Sequence, residues 1–210
     1  MSDIIDAVEA GDVSKVASYL DGGPSLIEFQ PYGETPLSVA VQQGKTAIVR
    51  LLLERGANLN HHGNNGRTPL HFAAVRGKEE IAEYLLRHQL DIESVDDQGY
   101  TPLFTAAKMG ERGVAESIIR HGARYDIASA VCLGDTDRVK AIFAEDPLAI
   151  THTPFRDDLL TDAVLSNNLE LVKLLLSQSD IDPKAIGSSG EPPLVASVSR
   201  SDFNPEIGFI

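Results

Sequence analysis

The side chains best suited to chemistry lie in the middle of the chain. His61, His62 and His71 invite a metal reading. Adjacent histidines lack the i, i+3 or i+4 spacing that puts two ligands on one helical face, and no Cys or acid follows at ligand spacing. The pair therefore reads as solvated turn residues. Asp96-Asp97-Gln98-Gly99 has the outline of a calcium loop, but the alternating acids and the closing glutamate are missing. Gly63 and Gly66 belong to a turn and precede no helix within reach of a lysine, so no phosphate-cradling loop is present. Cys132 is the single cysteine, which rules out an intrachain disulfide. With no His or acid at nucleophile spacing beside it, Cys132 reads as a small core residue. No Ser/His/acid trio is suggested by neighbourhood. No residue is assigned to catalysis, to a cofactor or to a metal, and the expectation is a protein that is not an enzyme.

The elements that carry these residues are more informative than the residues themselves. Thr68-Pro69-Leu70-His71-Phe72-Ala73-Ala74 combines an N-cap threonine with proline at the first helical position, where its missing N–H costs nothing. Gly77 ends this short helix as a left-handed residue. A second helix follows, with Ile81, Leu85 and Leu86 on one face. Two short helices cannot bury that apolar surface alone. The pattern recurs: Thr35-Pro36-Leu37 and Thr101-Pro102-Leu103 lie 33 residues to either side, and Gly11, Gly44, Gly77 and Gly110 keep the same interval. Ala40, Ala73 and Ala106 recur in phase, as do Gly56-Ala57 and Gly122-Ala123.

A fixed period of 33 with Thr-Pro-Leu-His-x-Ala resembles the ankyrin-repeat family, most closely over residues 35–125. The resemblance implies an all-α solenoid of stacked helix-turn-helix units with short β-hairpin fingers. It also implies that His71 is structural, its ring bonding to neighbouring hairpins.

Taken in order, the first unit covers about Ser2 to Gly23 and lacks Thr-Pro-Leu, as a terminal repeat can. A loop over 25–34 leads to the second unit at Thr35. Finger tips are expected at 61–67 and 96–100, where Gly and Asn permit positive φ. From Gly110 to Gly134 the spacing shrinks to 24 residues, and the missing residues are those of a finger. The chain then resembles its own beginning at an offset of 123: Gly11-Asp12 matches Gly134-Asp135, and Leu51-Leu52-Leu53 matches Leu174-Leu175-Leu176. This gives repeats one to four over 1–125 and a second segment over 126–210, expected to stack continuously. In the sixth unit Asn167 replaces the turn glycine. A seventh begins at Pro192-Pro193-Leu194 and stops half-built, so the chain is expected either to continue into further repeats or to end in a frayed tail.

Charge and composition narrow the partners. The net charge is −13, with no basic run, which disfavours nucleic acid and anionic membrane surfaces. A neutral or basic protein surface is the expectation. No run approaches membrane-spanning length, and the start lacks a signal peptide's basic and apolar regions, pointing to the cytoplasm. A monomer is expected unless the half repeat associates. The resemblance implies protein binding through finger tips and the exposed face of the first helices. Carried onto this chain, the tip residues are Tyr32, Glu34, His62, Asn64, Asn65, Arg67, Asp97, Gln98 and Tyr100, and the helix-end residues are Gln42, Gln43, Val75, Arg76, Lys108 and Met109. The function expected is a non-catalytic scaffold, adaptor or regulator; the alternative is a targeting segment of a longer polypeptide whose active part lies beyond Ile210.

Overall fold

The structure is a computed structural model, and residues 3–30, 33–187 and 190 are described. Two compact units divide the chain, Met1–Arg124 and Tyr125–Ile210. In the first unit the helices are α1 (Ile4–Ala10), α2 (Val13–Gly22), α3 (Pro36–Gln42), α4 (Thr46–Glu54), α5 (Pro69–Val75), α6 (Glu79–Leu86), α7 (Pro102–Met109) and α8 (Arg112–Arg120). The second unit holds α9 (Ile127–Leu133), α10 (Thr136–Glu145), α11 (Ala149–His152), α12 (Arg156–Leu165) and α13 (Leu169–Leu176). All regular structure among the described residues is helical, with short 3-10 turns at Pro24–Glu28 and Asn64–Gly66.

Local chemistry starts and stops each helix where the repeat pattern places it. Thr35 Oγ1 accepts from the Ser38 N–H (3.3 Å) and Thr101 Oγ1 from the Phe104 N–H (3.2 Å). Asp3 and Asp6 form a reciprocal capping box at α1, which has no Thr-Pro-Leu to use. The turn between the two helices of a repeat passes through the left-handed region at Gly11, Gly44, Gly77 and Gly110. Asn167 takes that place in the sixth unit with φ 57°, the substitution that a short amide side chain tolerates.

In the first unit the first helices pack in a row, α1 on α3, α3 on α5, α5 on α7, and the second helices form a parallel row from α2 to α8. The core runs between the rows: Leu37, Ala40, Ile48 and Leu52 in one repeat, Leu70, Ala73, Ile81 and Leu85 in the next, Leu103, Ala106, Val114 and Ile118 in the third. Alanines at 40, 73 and 106 are fully buried, and their small side chains let adjacent first helices approach closely. At about 25 cal/mol per Å² of apolar surface removed from water, this repeated burial is what makes each unit depend on its neighbours.

A second, polar ladder runs beside the core. The backbone N–H groups of Asn58, Asp91 and Arg124, 33 residues apart, donate to the side chains of Glu28, Asn60 and Glu93 at 2.8, 2.8 and 2.7 Å. Each side chain belongs to the preceding repeat, so the loop after every second helix is tied backward. On the outer face Arg55–Asp21, Arg50–Glu80 and Arg120–Glu83 pair across repeats. Glu83, partly desolvated, still has its carboxyl held below the usual range by the Ser117 hydroxyl, Arg120, His121 and Arg87. Such exposed pairs contribute little each.

In the second unit α9 packs on α10 and α12, and α12 on α13. Asn168 caps α13 through its oxygen (Leu171 N–H, 3.1 Å), while its amide donates to Gly134 O (3.0 Å) and Thr136 Oγ1 (2.9 Å). The Arg138 guanidinium lies 5.6 Å over the Tyr125 ring and donates to the Tyr125 carbonyl. Cys132 is half-buried, not a core residue: it sits where Glu9 does on α1, a position that faces outward in the first helix of a repeat. The proposed seventh repeat lies outside the described residues.

The fingers correct one expectation. They are closed turns, not β-hairpins: Gly63 N–H donates to Arg67 O (2.9 Å), Asp96 N–H to Tyr100 O (3.0 Å), and no strand occurs among the described residues. Each arm is too short for more than one cross-arm backbone bond of this kind, so no ladder develops.

Candidate interaction surface

His71 holds the two best-formed fingers to the helices. Its Nε2 lies 2.8 Å from the Tyr100 carbonyl, which can only accept, so the proton sits on Nε2. Nδ1 is then the acceptor for the Thr68 N–H (3.2 Å) and the Thr68 hydroxyl (2.8 Å). The ring is fully buried, and that burial lowers its pKa below the ordinary histidine value, against the opposing Tyr100 carbonyl and Asp96 charge. A neutral ring of one tautomer thus joins repeat three to the finger of repeat four.

Asp96 completes the finger. It is buried, its Oδ1 accepts from the Gln98 N–H (2.9 Å) and the Tyr100 N–H (3.0 Å), and Oδ2 pairs with Arg67 Nε (3.4 Å). Asp97 N–H donates to Asn65 O (2.9 Å), which joins one finger to the next. Asn65 adopts a left-handed φ of 58° to make that turn. His62 uses Nδ1–H toward Gly66 O (2.8 Å) and Nε2 toward the Ser94 hydroxyl (3.2 Å). Glu34 accepts from the Gln42 amide (3.0 Å); burial pushes its carboxyl pKa up, opposed by bonds from Asn64 and Gln42 and by the Arg67 charge.

The fifteen residues taken from the sequence therefore divide by what holds them. Arg67, His62, Glu34 and Gln42 are committed to bonds within and between fingers, so their side chains shape the tips. Asn64, Asn65, Asp97 and Gln98 are exposed on the tips. Tyr100 is half-buried, its ring edge-on to Phe104 at 4.9 Å. Lys108 Nζ lies 5.5 Å over Phe104 and 5.9 Å over Tyr100. Gln43, Arg76 and Met109 are exposed at equivalent ends of α3, α5 and α7, with Val75 half-buried beside Arg76. Tyr32 lies outside the described residues. Sequence reasoning missed Asp96 as the finger's central acceptor and passed over Lys45 and Lys78, which flank the helix ends; the 33-residue spacing of the two lysines is the signal that could have found them.

Among the described residues no group of three or more His, Cys, Asp or Glu is placed to hold a metal ion, and no helix is long and apolar enough to cross a membrane. What the arrangement offers is a fixed set of side chains on a relay of turns and helix ends. A family model described as ankyrin repeats (3 copies) matches residues 4–96 and 56–129, together more than half of the chain. No curated protein matches the chain.

Proposed function

The chain belongs to the ankyrin-repeat family, and we propose on that premise that it is a non-catalytic adaptor or regulator. It binds a protein or peptide across the finger tips and first-helix ends of repeats two to four. One observation carries this reading. The fingers are locked before any partner arrives, by His71 to Tyr100, Asp96 to Arg67 and Asp97 to Asn65, while Gln43, Arg76 and Met109 stay exposed beside them. A preorganised surface loses little conformational entropy on binding, so exposed contacts translate into affinity. Met109 is 53% exposed, and an apolar, adaptable side chain of that kind suits an interface better than a solvated one.

A photo-reactive amino acid placed at Met109, and in a second protein at Glu116 on α8, tests the assignment. Glu116 is exposed on the second-helix row. The expected result is a partner cross-linked in host lysate from Met109 and not from Glu116. Cross-linking from Glu116 alone would move binding to the other face and refute the site.

A further inference from the structure

We propose that the segment bound on this surface is acidic: a peptide with carboxylates next to apolar side chains, lying across the turn ends of the first helices in repeats two to four. The proposal rests on the reading of that surface as the binding face. Net charge points the other way, since a chain at −13 favours neutral or basic partners. The placement of individual charges reverses it. In the first unit most described arginines are paired: Arg50 with Glu80, Arg55 with Asp21, Arg67 with Asp96, Arg87 and Arg120 with Glu83. Among the described residues Lys45, Arg76 and Lys78 have no ion pair, and these three share one edge; Arg124, also without one there, lies at the end of the unit.

The geometry explains why that edge is basic. A Cβ built on Gly11 would meet Lys45 Nζ at 3.3 Å, and one built on Gly44 would meet Lys78 Nζ at 3.3 Å. Each lysine therefore reaches back over the C-terminal turn of the preceding first helix, where the helix dipole favours a cation. Arg76 caps α5 on the same edge, and Lys108 stands in the last turn of α7 above its two rings. Val75 and Met109 supply apolar surface between these cations. The acids near the edge include Glu111, which lies against Gly77 at the position in phase with Lys45 and Lys78, Glu79, whose carboxylate lies against Gly113, and Glu9, exposed on α1. At physiological ionic strength charges beyond about 8 Å are largely screened, so the nearby cations decide the sign that an arriving side chain meets. A nucleic acid fits less well: its phosphates would continue past this short edge into acidic surface, and the Tyr100 and Phe104 faces that could stack bases are covered by Lys108.

The test uses the full chain and fluorescent short peptides of repeating Glu-Ser-Leu, Lys-Ser-Leu and Gln-Ser-Leu, with a thymidine oligonucleotide as a fourth probe, followed by anisotropy. The Glu peptide is expected to bind tightest and to weaken as salt rises. Arg76→Glu is expected to weaken it about tenfold, and Arg76→Glu with Lys78→Glu further. Neither side chain has an ion pair among the described residues, and urea unfolding of each variant separates a loss of binding from a loss of fold; Glu111→Gln serves as the opposite variant and should tighten binding. Equal or tighter binding of the Lys peptide or the oligonucleotide overturns the proposal, as does indifference to both charge reversals. If the Glu peptide fails while Met109 still cross-links a partner, the acidic partner is wrong and the surface stands. If both fail, the surface itself is wrong.

Discussion

Removing or charging His71 is the perturbation with the most calculable consequence. In His71→Ala the Tyr100 carbonyl keeps the Asp96 N–H as a donor at 3.0 Å, so it is not orphaned. The Thr68 N–H, on a residue 2% exposed, loses its only acceptor in the capping box. An unsatisfied buried donor costs about 1–3 kcal/mol, and the vacated ring volume adds to it. The expected loss is about 3 kcal/mol, with His71→Asn recovering part of it because an amide oxygen can accept from Thr68 but cannot reach Tyr100. Acid should act through the same group. Burial lowers the folded pKa of His71 below 6.5, the value the unfolded chain retains. Below pH 6.5 the unfolded state therefore binds more protons than the folded one, and stability falls with falling pH until the folded ring also titrates. The contribution is fully present above about 6.5 and is lost at no more than about 1.4 kcal/mol per pH unit. Urea unfolding followed by circular dichroism from pH 8 to pH 5, on wild type and His71→Asn, isolates the effect from the other histidines. Parallel stability curves for the two proteins would refute the assignment of a neutral, bridging ring.

Three further outcomes follow from neighbouring geometry. Asp96→Ala leaves the Gln98 and Tyr100 N–H groups and Arg67 without their shared acceptor; urea unfolding should show a loss of about 2–4 kcal/mol. Thr105 Oγ1 is buried with no hydrogen-bond partner, so Thr105→Val should raise the thermal midpoint, by an amount equivalent to about 1 kcal/mol, and a lowered midpoint would show that the hydroxyl has a partner. Gly66 and Gly99 both have positive φ, but a Cβ on Gly66 would lie 2.9 Å from the Asp97 backbone nitrogen, whereas one on Gly99 meets open space. Gly99→Ala should cost only the left-handed penalty of about 1–2 kcal/mol, and Gly66→Ala measurably more; equal losses in urea would mean that the two fingers do not touch there.

Much of the fold is legible in the chain because its determinants are local. Thr-Pro at a helix start, Gly at its end and apolar residues at helical spacing act within a few bonds of where they stand, and Asn167 could be read as a glycine substitute for the same reason. The period of 33 then says that copies must stack, since a single pair of helices cannot cover its own apolar face. The 3-10 turn at Pro24–Glu28 and the helix at Ala149–His152 were less legible: both are single turns, too short to show a period.

The surface was legible as a set of positions and not as a set of roles. That Arg67 is bound to buried Asp96, while Arg76 has no ion pair among the described residues, depends on where a residue 29 positions away is carried by the stacking. The same holds for Glu28, Asn60 and Glu93, whose partners lie in the next repeat. Sequence alone fixes what is decided by torsions and short-range burial: the helices, their ends and their repetition. Tertiary structure alone decides which charges neutralise each other and which face outward, because Coulomb interactions and hydrogen bonds depend on distances between repeats that no local pattern encodes.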